Sequence, residues 1–103
     1  MNRHAIDPEP STSASLLQRA CHGDVDGWRK LAQIYGPIVY AWARRSGFQE
    51  ADAADVMQET FTAVAKALPT FDYQREGATF RGWLWTITRN KLRDHARLVE
   101  AQA

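Results

Sequence analysis

The chain has 103 residues, 45% hydrophobic and 11% aromatic, which is the make-up of one globular domain with a packed core. Its net charge of +1 predicts no general affinity for polyanions, and its single cysteine, Cys21, excludes an internal disulfide. Cys21 and His22, with His4 and His95 far off in sequence, make no metal-ligand spacing, so no metal or other cofactor is expected.

Residues 1–13 are polar, contain Pro8 and Pro10 and show no hydrophobic period, which predicts a disordered leader ahead of a folded domain over 14–101. Ser11, Thr12 or Ser13 can cap a short helix running to about Cys21, with Leu16, Leu17 and Ala20 as its apolar edge and Gly23 as its stop. A second helix is predicted after Asp24, whose carboxylate can accept from the free amides of the first turn. Trp28, Leu31, Ala32, Tyr35, Ile38, Val39 and Trp42 follow the i, i+3, i+4, i+7 spacing of one buried face, so the three aromatics read as core. Gly36-Pro37 interrupts that stretch and predicts a kink, while the apolar face continues through it and keeps one helix as far as Gly47.

A third helix is predicted from about Ala51 to Leu68, ending before Pro69, with Ala53, Val56, Met57, Phe61, Val64 and Leu68 inward. Its outer side carries Asp52, Asp55 and Glu59 at i, i+3, i+7, with Gln58 beside them. Dipole complementation accounts for acids in the first turn, but Gln58 and Glu59 lie too far along the helix for it. Residues 70–79, TFDYQREGAT, have no helical period and read as a loop with Phe71, Tyr73 and Arg75 available to stack on unpaired bases, or with Phe71 plugging the core.

The last helix, capped by Thr79, carries FRGWLWTITRNKLRDHAR at 80–97, the densest aromatic and basic stretch of the chain. Phe80, Trp83, Leu84 and Ile87 share one face, while Arg81, Trp85, Arg89, Arg93 and Arg97 recur every fourth residue, a row that drifts by about 40° per step around the helix. Such a track suits a charged polymer; the alternative is a solvated basic face with Trp85 lying over arginine stems. Charge is segregated accordingly. Over 49–67, Glu50, Asp52, Asp55 and Glu59 against Lys66 leave −3, and over 75–97 six cations including Lys91 against Glu76 and Asp94 leave +4, which suggests two partners of opposite sign.

No phosphate loop, nucleophile set or metal motif is present, and the carboxylates of the third helix have no accompanying nucleophile, so binding rather than catalysis is expected. No apolar run reaches the roughly 20 residues needed to span a bilayer, and the N-terminus lacks the features of a secretory signal, which predicts a cytoplasmic protein.

The pair DAADVMQETF at 52–61 and FRGWLWTITRNKLRDHAR at 80–97, separated by an aromatic-bearing loop, resembles region 2 of bacterial RNA polymerase sigma factors, and within the sigma-70 family the extracytoplasmic-function (ECF) group. The resemblance implies an all-α fold, a compact bundle of about four helices, acting in transcription initiation. It implies that Asp55, Gln58 and Glu59, with Asp52 contributing, dock on a coiled coil of the largest subunit of core RNA polymerase. It further implies that the 71–79 loop, Asn90 and the basic row of the last helix melt the minus-ten promoter element and hold bases of its non-template strand. A possible anti-sigma partner follows from the same family. Trp83 matches a position that mainly packs the core. Such sigma factors normally carry a second, minus-thirty-five-reading domain, absent from this sequence, so a fragment or excised domain is expected. The rivals are a helix-turn-helix reader of duplex DNA, which needs a shorter turn between its last two helices, and a helical protein-binding adaptor without sequence-specific DNA binding.

Overall fold

The longest apolar face of the chain organises the bundle: α2, Val25–Arg45, buries Leu31, Tyr35, Val39 and Ala43 between its neighbours α1, Ala14–Cys21, and α3, Glu50–Ala67, while α4, Phe80–Gln102, closes the other side of α3. This computed structural model describes residues 14–71 and 79–102. The fold is all-α, with four helices, a 3-10 turn at Leu68–Thr70 and no strand among the described residues. The expected leader over 1–13, and Tyr73 and Arg75 of the expected base-stacking loop, lie outside the described residues.

Asp24 starts α2 as the sequence predicts. Its Oδ1 accepts from the amides of Asp26 (3.0 Å) and Gly27 (3.3 Å), which would otherwise be two of the orphan donors of the first turn. Its Oδ2 takes the Arg19 guanidinium of α1 at 2.8 Å, so one carboxylate both caps α2 and ties α1 to it. Behind that tie the helices touch closely: a Cβ on Gly27 would lie 3.0 Å from Cβ of Arg19. Pro37 is accommodated within α2 because it sits on the exposed side, where the Gln33 carbonyl that loses its amide partner can bond water. Gly47, at φ +97°, turns the chain from α2 into α3 in a left-handed conformation that suits glycine.

Arg19 first, then the Gly27 amide, hold the Asp24 carboxyl below its ordinary value. A depressed carboxylate pKa contributes stability that is complete above the unfolded-state value of about 3.9 and is lost as the pH falls through the lower folded-state value. Asp24→Asn is therefore expected to reduce the urea midpoint at neutral pH and to leave the variant less sensitive than the parent to acid below about pH 4. Parallel midpoint curves for the two proteins across that range would remove the tie as a source of acid sensitivity.

The core has two parts. Leu16, Leu17, Leu31, Tyr35, Val39, Val64, Leu68, Phe80 and Leu84 form the larger, and Ala43, Ala53, Val56 and Leu92 the smaller, toward the α2–α3 turn. Trp28 and Trp42, read from sequence as core, are only half-buried, and of the three aromatics only Tyr35 is buried, its ring meeting Phe80 at 5.0 Å. The inward line of α4 is longer than its hydrophobic residues suggest. Phe80, Leu84, Thr88, Leu92 and His95 are all buried, whereas Trp83 and Ile87 flank them half-buried. The Thr88 hydroxyl donates to the Leu84 carbonyl at 2.8 Å, while the hydroxyl of Thr60, buried on α3, finds no partner among the described residues.

Candidate functional site

The acidic residues of α3 follow from its binary pattern: with Ala53, Val56, Thr60 and Val64 turned inward, Asp55, Gln58 and Glu59 are left exposed and Asp52 half-buried. At about 100° per residue the four span roughly 120° of the helix circumference. They form an arc rather than a single point. Asp52 and Glu59 lie on the α4 flank, Asp55 on the crest, and Gln58 at the rim of an apolar recess between α2 and α3 lined by Trp28, Ala32, Met57, Phe61 and Ala65. Asp55 has no ion pair or hydrogen bond among the described residues, so its carboxylate faces solvent. Glu59 differs, with its Oε2 3.1 Å from Nε2 of the buried His95.

On α4 the predicted basic row is exposed over most of its length: Trp85, Arg89, Arg93 and Arg97 face solvent, with Asn90 beside them and Lys91 half-buried. Arg97 approaches Asp94 only loosely, at 3.9 Å between exposed groups, which leaves its charge largely available. At its N-terminal end the row is built into the bundle. Trp85 meets Trp42 of α2 edge-on at 5.0 Å and 70°, and the Arg81 guanidinium lies 6.0 Å from the centre of the same Trp42 ring. Trp42 therefore adds to this surface, a position that its place in an apolar period conceals.

The start of α4 is fixed by the Thr79 hydroxyl, which accepts from the Gly82 amide at 3.0 Å. Phe71 takes the second of the two roles its sequence context allows. Half-buried, it lies 4.9 Å from Trp83 at an interplanar angle of 31° and 6.0 Å from Phe80. These ring contacts bring the chain before residue 72 against the first turn of α4, and they leave Phe71 as an anchor whose access to a base is restricted.

His95 is the residue of this region that sequence reading misses, because in the sequence it is an isolated histidine, remote from the others and without metal-ligand spacing. The spacing of Phe80, Leu84, Thr88 and Leu92, extended by one turn, points to it. No group of three or more His, Cys, Asp or Glu suited to a metal occurs among the described residues.

Residues 31–99 match the family described as Sigma-70 region 2. The chain is similar to the RNA polymerase sigma factor NccH of Alcaligenes xylosoxydans xylosoxydans, 38% identical over 94 residues, which cover 91% of this chain and 49% of that protein. It is also similar to the ECF RNA polymerase sigma factor BldN of Streptomyces coelicolor, 34% identical over 93 residues, 90% of this chain and 34% of that one. Thus the chain spans about half the length, or less, of these curated relatives. Among solved structures it resembles an engineered region 2 of sigmaE in complex with GTAAAA, with a TM-score of 0.78, 28% identity and coverage of 91% of this chain and 95% of that one. CnrH in complex with the cytosolic domain of CnrY gives a TM-score of 0.70, 36% identity and coverage of 85% and 59%.

Proposed function

We propose, since the chain belongs to the sigma-70 region 2 family and within it to the ECF sigma factors, that it docks on core RNA polymerase through α3 and recognises and melts the minus-ten promoter element with α4 and the segment before it. Sigma factors regulate transcription and are not catalysts in the usual sense. The observation that carries the reading is the pair of exposed faces of opposite sign on adjacent helices: Asp55, Gln58 and Glu59 with Asp52 on α3, and Arg89, Arg93 and Arg97 with Asn90 on α4. A coiled coil presenting basic side chains complements the first. A nucleic-acid strand complements the second, with Lys91 and the arginines on phosphates, with Asn90, Trp85, Tyr73 and Arg75 toward bases, and with Phe71 anchoring the chain against α4 instead of stacking on a base. The likeness to a region 2 bound to GTAAAA supports this assignment.

On the same footing 14–101 is the region 2 unit, the protein works in the cytoplasm beside the polymerase, and an anti-sigma factor is a further partner, supported by the complex of CnrH with CnrY. Among the described residues no helix is long and apolar enough to cross a membrane.

The test is a salt titration of non-template minus-ten strand binding with core enzyme bound. Arg93→Ala is expected to weaken cognate and scrambled strands alike and to lower the salt slope by roughly 0.7 for each phosphate that is no longer neutralised. Asn90→Ala is expected instead to erode the preference for the cognate strand and leave the slope in place. Equal losses on both strands for Asn90→Ala would take it out of base recognition, and an unchanged slope for Arg93→Ala would take the basic row off the phosphates.

A further inference from the structure

The last buried turn of α4 presents one polar group that the bundle itself does not explain. His95 is 8% exposed, one turn past the buried Leu92 and edge-on to Phe48 of the α2–α3 connection at 6.4 Å and 84°. Its Nε2 has no hydrogen-bond partner among the described residues, yet it lies 3.1 Å from Oε2 of Glu59. The separation is that of a hydrogen bond, although the geometry as it stands does not complete one. The separation carries more weight, because the last torsion of a glutamate is soft and a small swing of the carboxylate satisfies a nitrogen that is costly to leave buried and unpaired.

We propose that His95 is a positioning residue for the docking face: it fixes the Glu59 carboxylate in place for a basic partner without touching that partner itself. The proposal rests on the docking reading of α3. Burial keeps the imidazole out of reach of a protein docked on the surface, whereas the Glu59 side chain is 52% exposed and can meet both. A carboxylate has two oxygens and about four acceptor sites, so a contact to His95 leaves capacity for an incoming lysine or arginine. Phe48 holds the imidazole plane from one side and the α3–α4 packing brings it to the carboxylate on the other. Glu59 thereby enters the encounter with its rotamer already chosen, which removes part of the ordering entropy that binding otherwise incurs, an effect of about two- to tenfold in affinity for one long side chain.

The test is a double-mutant cycle on the full chain, with core RNA polymerase as the probe. His95→Phe, which keeps the aromatic packing on Phe48, is expected to bind about two- to tenfold more weakly; His95→Gln, which restores a side-chain donor, is expected to recover part of the loss. In a Glu59→Ala background, which removes the acceptor, His95→Phe is expected to add little. The carboxyl carbon shift of Glu59 should move in His95→Phe and return toward the parent value in His95→Gln, a signature that a purely packing role would not give. In the unmutated chain, cross-relaxation between His95 ring protons and the Glu59 side chain is expected, and its absence overturns the proposal without any variant. The proposal also falls if folded His95→Phe binds like the parent, or loses the same factor with and without Glu59. Should Glu59→Ala itself bind like the parent, Glu59 leaves the docking face and takes this inference with it, while Asp55→Lys still tests the rest of that face; a weakened Glu59→Ala beside an indifferent His95→Phe removes the inference alone.

Discussion

Glu59→Lys and Asp55→Lys are each expected to lose most of their affinity for core RNA polymerase while the bundle stays folded. Reversing a charge in a face that meets basic side chains replaces an attraction with a like-charge contact, and where the pair is desolvated the difference reaches several kcal/mol, on the order of a hundredfold or more in affinity. The two variants are not equivalent. Asp55 stands on the crest of α3 without a partner among the described residues, so its reversal touches docking alone. Glu59 also faces His95 at 3.1 Å, so Glu59→Lys exchanges that contact as well and is expected to lower the melting temperature slightly more than Asp55→Lys. Binding of both variants to core enzyme, read alongside their melting curves, checks the assignment. Parent-like affinity for both would move the docking face off this side of α3, whereas a loss for Glu59→Lys with none for Asp55→Lys would confine it to the α4 flank.

The helices are legible in the sequence because each is announced twice, by an apolar period and by a terminal signal. Asp24 caps α2 and Thr79 caps α4 with the hydrogen bonds their positions predict, and Gly47 stops α2 at a positive φ. The exposed acids of α3 and the exposed cations of α4 follow from the same periods, since a face that is not apolar is left to solvent. What periodicity does not decide is depth. Trp28, Trp42 and Trp83 occupy apolar positions and are only half-buried, because a ring of that size at the edge of a helix contact extends past it, while Thr60 on α3 and Thr88 and His95 on α4 are buried. Nor does it reveal pairings between helices. The Trp42, Trp85 and Arg81 group and the approach of His95 to Glu59 join residues more than thirty positions apart, and nothing local in either segment marks its counterpart.

The difference between the central line and the flank of α4 sets the largest stability effect expected in the molecule. Leu84 has no exposed surface and lies among Leu31, Tyr35, Val64 and Phe80 in the larger core, so Leu84→Ala removes buried methyl groups where α2, α3 and α4 meet. About 2–5 kcal/mol is the usual consequence, a large share of the roughly 5–15 kcal/mol available to a small domain, and the variant is expected to be partly unfolded at physiological temperature. Trp83→Ala removes a larger side chain with less effect. Its indole is half-buried, packed on Phe71 at 4.9 Å and Phe80 at 5.7 Å, so the truncated site opens to water and can collapse, and about 1–3 kcal/mol is expected. The two should also differ in kind. Leu84→Ala lowers every activity in proportion to the unfolded fraction, and saturating core enzyme should restore it by mass action. Trp83→Ala releases Phe71 from the first turn of α4, so its loss on minus-ten strands should persist in protein that is fully folded and bound to core enzyme. Urea midpoints for both variants, followed by strand titrations on the folded fraction, separate the two cases. A Trp83→Ala protein destabilised as far as Leu84→Ala, with no loss on minus-ten strands once folded, would place the indole in the core and leave Phe71 without a part in DNA binding.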